Sequence, residues 1–440
     1  MHIQKKYTQP LINKYSRLIY FFLITTLLSG HLNEYFPGFR VSVILQLIGL
    51  FVFLLLNFKR IVISRKWLRV YFFFILYTLA NLLILAISSP IFVDSIGMFS
   101  AIKSLAVYYV WGIFFLLIGA IHDKVQWMII VRTIWLGSAI ISIGPLFLYY
   151  PLLSFDGIGG LFISHHEKDM YYGVLHNANY VGISSIIFYV FGGIFYRKRA
   201  WTQILFGVIA LLGVYATQER SYQLMLVFFF LLQFLFSSYR IYFKSVVALI
   251  LFVALYFFLI YAIEQTEIGG HPSLESTYDR FTRWLRAIDI LNYFGIMGVT
   301  PSATLKLMSH EGIPFALTQD FNNFLYYNNY SELFQFKFNA MHAKILNSFF
   351  WSSEHNTFIT LVVDFGILGF FAAGVMIWYP INYLLKIRTQ YKNFHNGVNV
   401  ALFLISTNVA FMFTSQQQIL WFFALLYMFH YKVYYRKSHN

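Results

Sequence analysis

A histidine and an asparagine, His355-Asn356, stand at the lip of an apolar run, in the stretch Ser353-Glu-His355-Asn356-Thr-Phe-Ile-Thr-Leu-Val-Val-Asp364-Phe-Gly366-Ile-Leu-Gly369. A neutral imidazole takes a proton near pH 7, and a helix N-terminus disfavours its charged form, so His355 is the candidate general base. Asn356 or Ser353 would cap the helix that follows. An interfacial His-Asn pair that merely satisfies backbone donors is the competing reading.

Cations recur upstream of this pair. Ser276-Thr-Tyr-Asp-Arg280-Phe-Thr-Arg283-Trp-Leu-Arg286 has capping-box spacing from Ser276 to Asp279, which predicts a helix starting there and ending near Gly295 and Gly298. At 100° per residue, Phe281, Trp284, Leu285, Ile288 and Leu291 share one arc, and Arg280, Arg283 and Arg286 lie opposite over about 120°. Such a helix can lie at a membrane interface and attract anionic lipid heads. It can also clamp a diphosphate, because guanidiniums bind phosphate oxygens in pairs and stay charged. Arg220, in Thr217-Gln-Glu219-Arg220-Ser-Tyr-Gln-Leu224, is expected at an outward turn on the same side; a salt bridge to Glu219 is the plainer reading.

Other constellations carry less. His165-His166-Glu167-Lys168-Asp169 reads as a solvated loop, since adjacent histidines splay apart and a lysine sits among them. His176-Asn-Ala-Asn179 precedes an apolar run. Zero cysteines exclude disulfides, thiolate zinc sites and cysteine nucleophiles. No zinc spacing, Walker loop, GxSxG or dinucleotide fingerprint occurs in a fitting context.

These groups need a scaffold, and the composition says which kind. The chain is 59% hydrophobic and 11% charged, more apolar surface than a soluble protein of 440 residues could bury. The expected fold is all-α: a polytopic membrane protein of about twelve helices with one large extracytoplasmic helical loop. Spans are read at about 15–30, 41–57, 67–88, 99–121, 125–149, 179–196, 200–217, 221–237, 244–263, 357–379, 398–414 and 418–434. The first follows a basic tail (Lys5, Lys6, Lys14, Arg17) and is expected to remain as a helix.

Lys and Arg concentrate in alternate loops, among them Lys59, Arg60, Arg65, Lys66, Lys124, Arg197, Lys198, Arg199, Arg240, Lys244, Lys386, Arg388 and Lys392. The positive-inside rule then puts both termini in the cytoplasm and turns 150–178 and 264–356 outward. Much of the net charge of +15 is an orientation signal, and nucleic acid is not implied. Three regions result: 1–263 with nine spans, 264–356 as the outer loop, and 357–440 with three spans and a cytoplasmic tail. Arg132 can snorkel to the cytoplasmic face. Asp364, deep in its span on the face of Thr357 and Thr360, must find a partner or help shape the site. Phe321-Asn-Asn-Phe-Leu-Tyr-Tyr-Asn-Asn-Tyr330 could stack on sugar rings or pack as ordinary loop. Few embedded carboxylates, no internal repeat and no charged midplane cavity argue against a carrier.

Taken together these residues resemble the bacterial O-antigen ligase and O-antigen polymerase superfamily of membrane glycosyltransferases. His355-Asn356, nine residues and Gly366-Ile-Leu-Gly369 fit its His-Asn…Gly-x-x-Gly pattern. Arg220-Ser-Tyr-Gln-Leu224 fits its Arg-x-x-x-Leu element. Arg280 with Trp284, followed by Phe294-Gly-Ile-Met-Gly298, is similar to the run that opens its outer loop, with Met297 where glycine spacing is often tighter. His176-Asn-Ala-Asn179 resembles its Asn-rich helix entry. The likeness covers about 170 to 375.

The resemblance implies metal- and cofactor-independent transfer of glycan from undecaprenyl diphosphate at the periplasmic face of the bacterial inner membrane. His355 would be the base, with Arg220, Arg280, Arg283, Asn356 and His176 binding substrate. The acceptor would be a second lipid-linked saccharide (polymerase, narrowly favoured) or lipid A-core (ligase). Membrane lipids and a chain-length regulator or flippase are the other expected partners.

Overall fold

The computed structural model describes residues 65–119, 124–148, 178–196, 200–217, 220–236, 272–301, 303–308, 310, 312–327, 356–388, 396–411 and 417–435, with isolated positions between 44 and 52 and between 242 and 253. Among these there is no strand. The helices are α1 (Arg65–Ser88), α2 (Pro90–Ile96), α3 (Met98–Gly119), α4 (Lys124–Leu148), α5 (Ala178–Phe195), α6 (Ala200–Thr217), α7 (Arg220–Leu235), α8 (Pro272–Phe294), α9 (Ala303–Leu307), α10 (Ala316–Tyr327), α11 (Thr357–Phe365), α12 (Ile367–Arg388), α13 (Asn396–Phe411) and α14 (Gln417–His430), which continues as a π-helical turn (Tyr431–Tyr435).

Among the described residues, three helices are long and apolar enough to cross a membrane: α1, α3 and the Ile367–Ile387 part of α12. Shorter apolar helices lie at Trp127–Ile143, Val181–Phe195, Trp201–Val214, Ser221–Leu235 and Asn396–Phe411. Large apolar side chains also face outward, among them Phe72, Phe73, Ile87, Phe370 and Trp378. That surface is costly in water and compatible with lipid. The apolar runs expected near 15–30, 41–57 and 244–263 fall outside the described residues, apart from isolated helical positions in the last two.

Where helices are described, their ends fall close to the apolar runs, with three differences. Ser89-Pro90 starts an extra short helix, α2: Ser89 Oγ accepts from the Phe92 amide at 3.2 Å, proline takes the first helical position, and Gly97 at φ +73° closes it. The run expected at 357–379 is two helices, broken at Gly366. Finally, α8 starts at Pro272, so Ser276 lies inside the helix and the capping box expected there does not form its start.

The bundle packs α5 against both α4 and α6, α7 against α13, α12 against α13, and α1 against α3. Trp135 of α4 donates from its indole to the Phe188 carbonyl of α5 at 2.9 Å and stacks on that ring 5.5 Å away. Polar groups inside this apolar core are paired across helices. Pro380, inside α12, has no N–H for the Met376 carbonyl; Tyr427 Oη (2.6 Å) and Asn408 Nδ2 (3.4 Å) donate to that oxygen instead. His430 is fully buried between the Gly397 carbonyl (3.0 Å from Nε2) and Tyr379 Oη (2.9 Å from Nδ1). A carbonyl only accepts, so Nε2 carries the proton and Nδ1 accepts from the tyrosine.

The break at Gly366 is obligatory. Its φ is +57°, and a Cβ there would collide with the Ile296 and Met297 carbonyls. Gly374, also in α12, has no heavy atom within 4 Å of where a Cβ would lie. Gly366→Ala should therefore lower the unfolding temperature in detergent, costing about 2 kcal/mol or more from strain alone. Gly374→Ala should raise it slightly, by the helix-propensity gain of about 1 kcal/mol or less. Equal melting of the two variants would contradict this account of the break.

Candidate functional site

Two glycine-bearing segments lock together through their backbones. The chain leaving α8, Gly295-Ile-Met-Gly298-Val-Thr300, lies along the α11–α12 break. The Val299 amide donates to the Val363 carbonyl (2.8 Å), the Thr300 amide to the Asp364 carbonyl (2.9 Å), and the Ile367 amide to the Ile296 carbonyl (2.9 Å). These bonds satisfy amides and carbonyls that a helix end leaves open. The approach needs glycine on both sides: Gly298 at φ +83° faces the Gly366 amide and lies where a Cβ would be 2.8 Å from the Val363 carbonyl. The Gly-Ile-Met-Gly turn and the Gly-x-x-Gly element are thus two halves of one joint.

The first long helix holds that joint. Tyr77 Oη donates to the Met297 (3.3 Å) and Phe365 (3.2 Å) carbonyls, and Asn81 Nδ2 donates to Met297 (3.1 Å) and Gly298 (3.2 Å). Sequence reasoning passed over Tyr77 and Asn81. Their signal was present as two hydrogen-bonding residues at helical i, i+4 spacing within an apolar run. Asn81 Oδ1 and Thr300 Oγ1 are buried with no hydrogen-bond partner among the described residues, and Thr300 is held at φ +78°. A β-branched residue in that region is strained, which is a feature of constrained sites.

Asn356 is the N-cap of α11. Its backbone is extended (φ −148°, ψ 109°), and its Oδ1 accepts from the Phe358 (3.0 Å) and Ile359 (3.1 Å) amides. The side-chain oxygen is committed to the helix start and the residue is buried, so the capping role holds for Asn356 and not for Ser353. His355 comes directly before this cap and lies outside the described residues, as does His176. Asp364 is the penultimate residue of α11 and is 2% exposed. It lies in the last turn of a short helix that ends at the joint.

The arginine helix corrects the expected arrangement of faces. Arg283 and Arg286 are 5% and 0% exposed, whereas Phe281 and Tyr293 are exposed. Arg286 is spent on the fold: Nε donates to Met308 O (2.8 Å), Nη1 to Ile313 O (3.0 Å) and Pro314 O (2.7 Å), and Nη2 to His310 O (2.8 Å). Its guanidinium carbon also sits 3.5 Å over the Phe315 ring. Burial pushes this guanidinium down to about 10, opposed by the nearby Asp289 carboxylate, so it is charged at neutral pH. One helical turn on, Asp289 accepts from the Leu317 amide (2.9 Å), the Thr318 amide (3.4 Å) and the Thr318 hydroxyl (3.1 Å), capping α10 from outside. Together Arg286 and Asp289 pin the segment 308–318 onto α8.

Arg280 lies within α8 and Arg220 opens α7; only their backbone positions are described. Among the described residues, α8 packs on α11, so the arginine helix and the helix capped by Asn356 are neighbours. The same residues hold no group of three His, Cys, Asp or Glu that could bind a metal ion.

Arg286→Lys should destabilise the chain by about 3 kcal/mol or more, because one ammonium cannot serve four carbonyls arranged around a planar fork. Limited proteolysis should then cut within 308–318 before it cuts elsewhere. Wild-type stability with weakened substrate binding would mean that Arg286 serves a ligand instead of the loop.

Comparison with protein-family models, with curated proteins and with solved structures finds no match.

Proposed function

We propose that this chain is a polytopic membrane glycosyltransferase of the O-antigen polymerase and ligase type, with about twelve spans, cytoplasmic termini and a site at the periplasmic face of a bacterial inner membrane. It would move glycan from undecaprenyl diphosphate to a sugar hydroxyl. The observation that carries this reading is the joint between Gly295–Thr300 and Val363–Ile367, which links two motif-bearing segments through pairs 64 to 71 residues apart. Both α8 and α11 end at that joint and pack on each other. Counting back nine residues from Phe294 and from Phe365 reaches Leu285 and Asn356, each roughly 13 Å from the joint at helical rise. In the chain, His355 directly precedes Asn356, and Arg283 comes two residues before Leu285.

The chemistry follows from those groups. His355 takes the proton of the acceptor hydroxyl as its oxygen attacks the anomeric carbon. The bond from that carbon to the diphosphate oxygen breaks, and the negative charge that grows on the diphosphate is met by Arg280, Arg220 and Arg283. Asn356 contributes by capping α11, the helix that His355 immediately precedes in the chain. A role in binding substrate would fall to its amide nitrogen, because its oxygen is already used. Arg286, committed to four carbonyls, is not part of the cation set.

His355→Ala is expected to abolish transfer while the protein still inserts, measured as loss of long-chain polysaccharide on gels of a complemented deletion strain. Arg280→Lys should lower transfer more than Arg132→Lys, whose side chain is exposed on α4. Normal chains from His355→Ala would remove the base assignment. In the deletion strain itself, single repeat units attached to core indicate a polymerase. Lipid-linked polymer with no attached chains indicates a ligase.

A further inference from the structure

We propose that the outward face of α10 is a saccharide-binding platform, deepening the glycan-transfer reading on which its biological role rests. The helix is firmly placed. Asp289 caps its first turn, Thr318 is buried, and Phe321 packs on the Phe281 ring at 4.8 Å. Its other side is unusual: Phe324 is 56% exposed and Tyr327 79% exposed. At 100° per residue, Asn323, Tyr327, Asp320 and Phe324 fall within about 100° of one another, and all four are exposed.

Two rings beside a carboxylate and a carboxamide make a surface suited to a sugar. The rings offer flat apolar faces to the C–H side of a pyranose, and Asp320 and Asn323 offer acceptors and a donor to its hydroxyls. Exposed aromatics on a rigid helix also lose little side-chain freedom on binding. A lipid surface suits α10 less well. An interface helix is basic on its polar face, whereas α10 (ALTQDFNNFLYY) has no Lys or Arg and presents Asp320. It is not among the apolar helices of the chain. A packed protein interface would want contiguous apolar area, and here the rings alternate with polar groups.

The test uses the full chain in nanodiscs, with maltohexaose and chitopentaose as probes and empty nanodiscs as blank. Saturation-transfer NMR should show transfer to ring C–H protons of at least one probe. The double variant Phe324→Ala/Tyr327→Ala should bind about tenfold more weakly than wild type, compared at equal folded fraction, the size expected for two lost ring contacts. No transfer to either probe, or equal binding by the double variant, overturns the proposal. Hydroxyl-radical labelling of Phe324 and Tyr327 adds a second arm. Protection brought on by saccharide supports the platform; protection present without saccharide and lost in detergent means the face rests on lipid, and overturns it. Binding needs no turnover. A null result alongside His355-dependent transfer therefore removes the platform alone, and retained binding with His355-independent chains removes the transfer reading alone.

Discussion

Backbone-to-backbone docking at Gly298 and Gly366 is the constraint that orders this structure. Three amide–carbonyl bonds of 2.8–2.9 Å join the chain leaving α8 to the break between α11 and α12. A Cβ at either crossing point would collide with the facing backbone, and glycine with positive φ removes it on both sides. An interrupted helix in an apolar setting is tolerated only where neighbours satisfy its open groups. Tyr77 and Asn81 of α1 complete that satisfaction. The joint therefore couples an N-terminal helix, the arginine helix and the helix capped by Asn356 into one unit.

The same economy governs the charged groups. A buried guanidinium is costly unless its donors are met, and Arg286 commits four of its five N–H groups to carbonyls and lays its face over a ring. Its partner along the helix, Asp289, caps α10 through two backbone amides. Of the three arginines between 280 and 286, Arg283 and Arg286 are buried. One at least is architectural, and its task is to set the segment from which α10 departs.

Within the apolar bundle, polar side chains answer specific vacancies in the hydrogen-bond ladder. Tyr427 and Asn408 supply donors to the carbonyl that Pro380 frees, and His430 bridges the start of α13 to Tyr379 of α12. Lys432, in the π turn after α14, donates to the Gly119 carbonyl at the end of α3 at 2.8 Å, where a cation complements the helix dipole. Each pairing ties one helix to another that hydrophobic contact alone would leave free to slide.

The sequence by itself determined the all-α class, the apolar helices and most of their ends, because hydropathy over some twenty residues and Gly/Pro punctuation are local properties. It also exposed His355-Asn356 and the helix start they mark, since a cap is read from neighbouring residues. Only the tertiary structure decided which face of α8 is buried. The apolar arc of Phe281 and Trp284 pointed one way, but the carbonyls around residues 308–314 drew Arg286 inward, a non-local demand that helical periodicity cannot register. The break at Gly366 was hidden for the same reason: Gly366 lies in an unbroken apolar run, and what opens the helix there is the Ile296 carbonyl, 70 residues earlier in the chain.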